Sequence, residues 1–353
     1  MVTVAAPLPV PQHFKASNAD QWGYRADQGK IFDLAKQWAK MHDIKPTAVD
    51  KVNTHLLLID VQKDFCFPQG SLYVGGRSGT GAVEDNKRLC RFIYENLGTI
   101  SNITVTVDTH FPYQIFFPSF WEDDQGNPAG PYTVITTDEV RSGKWSPTKA
   151  MAHWLCNGNY SWLRKQAEFY CDTLEKGGKY ALYLWPFHCM IGDEGHSLVG
   201  VVHEARLFHA FARVSPDLAE VKGGNLLTEN YSVLSPEVLM RHDGHAMAQR
   251  NTKFIQTLID ADNVIIAGQA ASHCVKSTIQ DLLTEIQAKD PTLAQKVYII
   301  EDCMSAVAVP DGKGGFIADY TPEAEAALKK FADAGMHVVR SDQALDTWPG
   351  IKL

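Results

Sequence analysis

From about residue 50 onward, short runs rich in Val, Ile and Leu alternate with longer amphipathic stretches. The runs are 55–59, 103–107, 180–184, 264–267, 297–300 and 337–339, and the helix-like stretches fall near 82–97, 199–212, 246–259, 274–288 and 322–334. A strand that is apolar along its whole length must be covered on both faces, and a helix between successive strands supplies that cover. The rhythm predicts an α/β fold, a Rossmann-like parallel sheet of about six strands with helices on both faces.

Two stretches stand outside the rhythm. Residues 1–50 read as an N-terminal extension, with Pro7, Pro9 and Pro11 leading into a helical stretch at 31–41. The remaining 51–353 form the main domain, interrupted at 113–179 by a segment without a clear strand that holds Trp121, Trp145, Trp154 and Trp162. A loop of that length is uncommon without structure of its own, so an insertion with helices is expected, the clearest at 160–176. It is placed to cap a site or to form an interface between copies.

Composition excludes some partners. With 33 Lys+Arg against 41 Asp+Glu the formal charge is −8, and no basic run offers a nucleic-acid footprint. No apolar window is long enough to span a bilayer, and the N-terminus lacks the basic start of a secretion signal. Seven scattered Cys suit reduced thiols better than a disulfide framework. A cytoplasmic protein with a small-molecule partner is the expectation.

Ligands of doubly wound sheets bind beyond the carboxyl ends of the strands, so the residues after each run are the candidates for chemistry. The first run ends in Asp60 and the second in Asp108 and His110; the third is followed by Trp185-Pro-Phe-His188-Cys189, the fourth by Gly268-Gln-Ala-Ala-Ser-His-Cys274. Cys274 follows a turn of small residues and opens a predicted helix. The positive end of the helix dipole there is expected to lower its pKa, and the free amides to hold an oxyanion. Asp60 is placed to exchange a proton with that thiol. His273 is a poor base because neighbours at a helix start point apart, and Asp64 sits in a turn, where a structural role is commoner.

These segments, in this order, resemble the isochorismatase-like cysteine hydrolases, and within them the nicotinamidases. The resemblance spans Leu-Leu-Leu-Ile-Asp60-Val-Gln-Lys-Asp64-Phe, Thr106-Val-Asp108-Thr-His110, Trp185-Pro-Phe-His188-Cys189 and Gly268 to Val275. It implies a catalytic Asp–Lys–Cys set, here Asp60, Lys222 and Cys274, with Lys222 assigned through the segment Val221-Lys222-Gly to Tyr231-Ser232. It also implies a cis peptide at Gln269–Ala270 and an oxyanion site on the N–H groups of Ala270 and Cys274. Phe65, Phe117, Trp121 and Tyr231 are the candidate pocket wall.

The resemblance further implies a metal site, with Asp108, His110 and His188 as three ligands and Phe117 where another His is expected. Phenylalanine cannot bind a metal, which weakens the site, although three ligands and water suit Zn²⁺, Fe²⁺ or Mn²⁺. No cofactor is needed for the covalent chemistry. The leading expectation is a cysteine-dependent amidohydrolase that cleaves a small carboxamide through a thioester. The alternatives are a hydrolase of a ureido, carbamate or N-acyl amide substrate, and a catalytically silent binding protein. Homo-oligomers are expected by analogy with the fold.

Overall fold

A computed structural model describes residues 7–177 and 180–353. The first six residues of the expected extension and the last two of the expected insertion lie outside the described residues.

Six strands form one parallel sheet: β1 (Thr54–Ile59), β2 (Asn102–Asp108), β3 (Asp217–Lys222), β4 (Asn263–Gly268), β5 (Val297–Ile300) and β6 (His337–Val339). Their order across the sheet is β6-β5-β4-β1-β2-β3. The chain builds outward from β1 through β2 to β3, then returns to the other side of β1 to build β4, β5 and β6. The carboxyl ends of β1 and β4 therefore flank the point where strand order reverses, which is where a crevice opens in such sheets.

The strands form because both of their faces find cover. In β1 and β4 all six residues are buried. Leu56 and Leu58 point into one core and Leu57 and Ile59 into the other. The longer helices are α1 (Gln28–Met41), α2 (Gly81–Glu95), α3 (Tyr160–Lys176), α4 (Gly200–Arg213), α5 (Thr252–Asp260), α6 (Cys274–Lys289) and α7 (Thr321–Asp333). Buried residues of α1, α2 and α4 share the core of Leu56 and Leu58, and those of α5, α6 and α7 share the core of Leu57 and Ile59. α1 starts where Asp27 accepts the Lys30 N–H as an N-cap, and it packs on α4 through Ile31, Ala35 and an edge-to-face pair between Phe32 and Phe211.

One expected strand is corrected. The run 180–184 does not join the sheet; only Leu182–Tyr183 is extended, paired antiparallel to Val134–Ile135. Its apolar residues Leu182 and Leu184 are buried in a third core with Phe116, Phe120, Leu163 and Tyr170. The third place in the sheet goes to β3, an edge strand whose Leu218 and Val221 are exposed. An apolar run reports burial without saying in which core, and an edge strand need not be apolar at all.

Most of that third core comes from the stretch between β2 and α4. α3 contributes Leu163, Ala167, Tyr170, Cys171 and Leu174, one stripe at helical spacing, and Asn159 caps its start by accepting the Trp162 N–H. Leu227 and Val238, from beyond β3, pack against the same core. Among the described residues no helix is long and apolar enough to cross a membrane.

Candidate active site

Four strand ends converge. β1 delivers Asp60, β2 Asp108, β3 Lys222, and the segment after β4 leads to Cys274, the first residue of α6. Asp108 and Lys222 are register partners across β2 and β3. The Lys222 Nζ lies 3.0 Å from Asp108 Oδ1, 2.9 Å from Asp60 Oδ2 and 3.6 Å from Cys274 Sγ. All four side chains are buried. Asp60 is fixed further by Thr106, whose hydroxyl donates to Asp60 Oδ1 while accepting the Asp60 N–H at 2.9 Å.

Two glycines make this convergence possible. At Gly268 (φ +119°) a Cβ would sit 2.0 Å from the Ile59 carbonyl oxygen, so only glycine lets the end of β4 close on β1. At Gly223 (φ +87°) a Cβ would fall 2.5 Å from Asp108 Oδ1 and 2.8 Å from the His110 ring.

The electrostatics follow from burial opposed by neighbours. Burial pulls Lys222 down, but Asp108, Asp60 and Cys274 together hold it well above its ordinary value. Burial pushes Asp60 up, against the pull of Lys222, whereas at Asp108 the same burial is outweighed by His110 and Lys222 and the carboxyl stays low. The thiol departs from expectation. Burial drives Cys274 well above the usual thiol range, and Lys222 only partly offsets it. The helix start alone does not make a resting thiolate here, because the desolvation of a fully buried sulfur exceeds what one helix end supplies. The thiol needs a base, and Asp60 is hydrogen-bonded to it.

The Gln269–Ala270 bond is cis. Beyond it the chain turns so that the Ala270 carbonyl accepts the N–H groups of His273 and Val275. Among the described residues, the N–H groups of Ala270 and Cys274 themselves donate to nothing else. His273 does not serve Cys274: its ring meets Trp185, Tyr231 and Tyr320 edge-on, its Nδ1 pairs with Ser272 Oγ, and burial pushes it down to about 3. Asp64 is structural, accepting the N–H groups of Cys189 at 2.7 Å and Ser71 at 3.1 Å.

Beside Lys222, the ligand atoms of Asp108, His110 and His188 lie within 4.8 Å of one another. His188 Nδ1 meets the Pro186 carbonyl at 2.8 Å; a carbonyl can only accept, so Nδ1 carries the proton and Nε2 keeps its lone pair, 3.9 Å from Asp108 Oδ2. His110 Nε2 is 2.9 Å from the same oxygen, and His110 Nδ1 is buried without a hydrogen-bond partner among the described residues. One carboxylate and two imidazoles held this closely fit a divalent transition metal. The Phe117 ring, 5.5 Å from each His ring, closes the next side of the cluster with carbon.

The pocket over Cys274 leaves a cavity of ≈ 30 Å³ among Phe65, Trp185, Glu229, Tyr231 and His273. Two expected wall residues are corrected. Trp121 is fully buried in the third core, its indole N–H donating 2.7 Å to the Ile115 carbonyl, and Phe117 stands behind the histidines rather than on the cavity. Position near a motif does not tell which way a side chain turns, and both rings turn toward the nearest apolar core. Trp185 and Glu229 were missed. Trp185 donates to Tyr231 Oη at 2.8 Å. Glu229, with its carboxyl pushed up to about 7 by burial, lies with Tyr231 in the loop that follows Lys222 at the end of β3, but in sequence a Glu within Thr-Glu-Asn reads as solvated.

No protein-family model matches the chain, and no curated protein matches it in sequence. Solved structures do match. The yeast nicotinamidase bound to the inhibitor nicotinaldehyde aligns at 18% identity and a TM-score of 0.50, covering 81% of this chain and 99% of the yeast one. An Acinetobacter baumanii nicotinamidase/pyrazinamidase aligns at 18% identity and 0.46, covering 83% and 98%. A Pyrococcus horikoshii pyrazinamidase in complex with zinc aligns at 16% identity and 0.44, covering 82% and 99%. The chain shares the fold of the yeast nicotinamidase.

Proposed function

We propose that the protein is a cysteine-dependent amidohydrolase that cleaves the C–N bond of a small carboxamide, in the manner of a nicotinamidase. The observation that carries this is the placement of Lys222 Nζ within 2.9 Å of Asp60 and 3.6 Å of Cys274, beside two unspent N–H groups. The shared fold with a nicotinamidase supports the same reading.

The chemistry follows from that geometry. Asp60 takes the Cys274 proton, and the sulfur attacks the amide carbonyl carbon, forming the C–S bond. The oxygen that gains charge rests on the N–H groups of Ala270 and Cys274. Collapse breaks the C–N bond as Asp60 returns the proton to the departing nitrogen, which leaves as ammonia. Water then adds to the thioester, giving a proton to Asp60, and the acid is released as the C–S bond breaks and the thiol recovers its proton. Lys222 keeps its charge throughout, stabilising the passing thiolate and orienting both carboxylates. Asp108, His110 and His188 would hold a divalent metal, and that metal, when bound, supplies a Lewis-acidic point on the pocket wall. Phe65, Trp185 and Tyr231 supply flat apolar surface that suits an aromatic ring.

The test is ammonia release from nicotinamide and a panel of aromatic and aliphatic amides, ureides and carbamates, with and without chelator. Turnover of an amide that Cys274→Ala abolishes is the expected result. Turnover that survives Cys274→Ala overturns the reading, and turnover confined to ureides or carbamates moves the substrate class.

A further inference from the structure

The segment from Gln269 to Cys274 is held from behind by a carboxylate that never reaches the pocket. Asp85, on α2, is only 3% exposed. Its Oδ2 accepts from Gln269 Nε2 at 2.9 Å and from Ser305 Oγ at 2.6 Å, and its Oδ1 accepts from Arg88 Nη2 at 2.8 Å. The other end of the Gln269 amide is also committed, since its Oε1 accepts the Ser305 N–H at 3.2 Å. Ser305 then returns to the loop, its carbonyl accepting the Ala271 N–H at 2.8 Å, and Ser272 Oγ accepts the Val307 N–H at 3.1 Å. Both polar ends of the Gln269 side chain are thereby spent on orientation. Gln269 immediately precedes Ala270, and Cys274 is five residues on, so a turn of this amide would displace both N–H groups and the sulfur.

We propose that Asp85 is a positioning residue for catalysis: through Gln269 and Ser305 it holds the loop that presents the Ala270 N–H and Cys274 to the substrate carbonyl. This rests on the amide-hydrolysis reading of the same site. Nothing but an anionic acceptor fits the position, because all three partners of Asp85 approach it with donors. Burial pushes the Asp85 carboxyl up to about 6, opposed by Ser305, Gln269 and Arg88. The titratable groups that face it are Arg88 from its own helix, Cys66 and Tyr73 from the segment after β1, and Cys303 from the segment after β5. Below that range a protonated Asp85 would turn a donor toward a donor and release Gln269.

The experiment follows the rate of Cys274 alkylation by iodoacetamide, resolved by residue with mass spectrometry between about pH 5 and pH 8, alongside amide turnover. It uses the full chain, with Asp85→Asn, Asp85→Glu, Ser305→Ala and the Asp85→Asn/Ser305→Ala pair. Asp85→Asn keeps the shape but brings an NH₂ where an acceptor is needed. It is expected to slow Cys274 labelling about tenfold, as the sulfur drifts from Lys222, and to leave only the steady fall of rate with acid that loss of thiolate gives, without the further drop below about pH 6 expected of the wild type. Asp85→Glu recovers part of the rate, and the double variant is no slower than Asp85→Asn alone, because both act through one network. Labelling at the wild-type rate and pH dependence in Asp85→Asn and Ser305→Ala overturns the proposal. If wild-type Cys274 labels but no amide turns over, the hydrolase reading fails while the labelling series still decides the role of Asp85.

Discussion

The Lys222 ammonium stands 2.9 Å from Asp60 Oδ2 although their strands do not touch, since β2 lies between β1 and β3. The lysine reaches across the end of β2, bonding Asp108 on the way, so one cation serves two buried carboxylates and the thiol. Lys222→Met leaves Asp60 without its counter-charge and Asp108 with His110 alone. Amide turnover is expected to fall about 10³-fold, and urea unfolding to show a loss of about 3–5 kcal/mol. Cys274→Ala, which removes no charge, should lose turnover with little change in stability. Equal stability of Lys222→Met and wild type would contradict the shared-cation picture.

Gly223 is the second sensitive point on the same strand end. An alanine there meets Asp108 Oδ1 and the His110 ring and must also hold φ near +87°. Gly223→Ala is expected to cost about 1–3 kcal/mol of stability and to lower kcat more than KM, since it moves Lys222 and Asp108 together. Thermal unfolding and steady-state kinetics on the same preparation read both effects.

The Asp108, His110 and His188 cluster should bind a divalent transition metal in the isolated protein, whatever the substrate. Calorimetric titration with Zn²⁺ or Mn²⁺ should give one site per chain. His188→Ala should weaken it by at least about 100-fold, because Nε2 is the ligand atom already oriented by Pro186. Phe117→His, placed 5.5 Å from both imidazoles, should tighten it. Unchanged affinity in His188→Ala would place the metal elsewhere.

Acid should destabilise the fold through histidines buried as neutral rings. Burial pushes His55 and His209 down to about 4; His55 meets Thr104 Oγ1 at 2.9 Å and His209 Nε2 meets the Ile100 carbonyl at 2.8 Å. An unfolded chain protonates them near their ordinary 6.5, so the unfolded state binds more protons below that pH. The contribution of each is complete above about pH 6.5 and is lost as pH falls toward about 4, at about 1.4 kcal/mol per pH unit. His209→Gln should therefore shrink the stability difference between about pH 7.5 and pH 5 by about 2 kcal/mol, measured by urea unfolding at both values.

Much of this site is legible before any fold is known, for a definite reason. Asp60, Asp108, His110 and Cys274 each follow an apolar run, and in a parallel sheet whatever follows such a run lands at the same edge. Local signals also place α2, α4, α6 and α7 within a few residues, because helical periodicity and strand runs are properties of neighbours in sequence.

Long-range facts are a different matter. Resemblance pointed to Lys222, but only the sheet shows that it belongs to an edge strand with exposed neighbours, a strand that carries no apolar run to announce it. The run at 180–184, equally apolar, lies in another core. Trp121 and Phe117 turn away from the cavity, while Trp185 and Glu229 turn toward it. The raised thiol of Cys274 comes from burial by segments far apart in sequence. The sequence by itself determined the alternation of strands and helices and which chemical groups would stand at the strand ends. Tertiary structure alone decided their distances, their burial and their charge, because direction and desolvation depend on residues brought together only when the sheet closes.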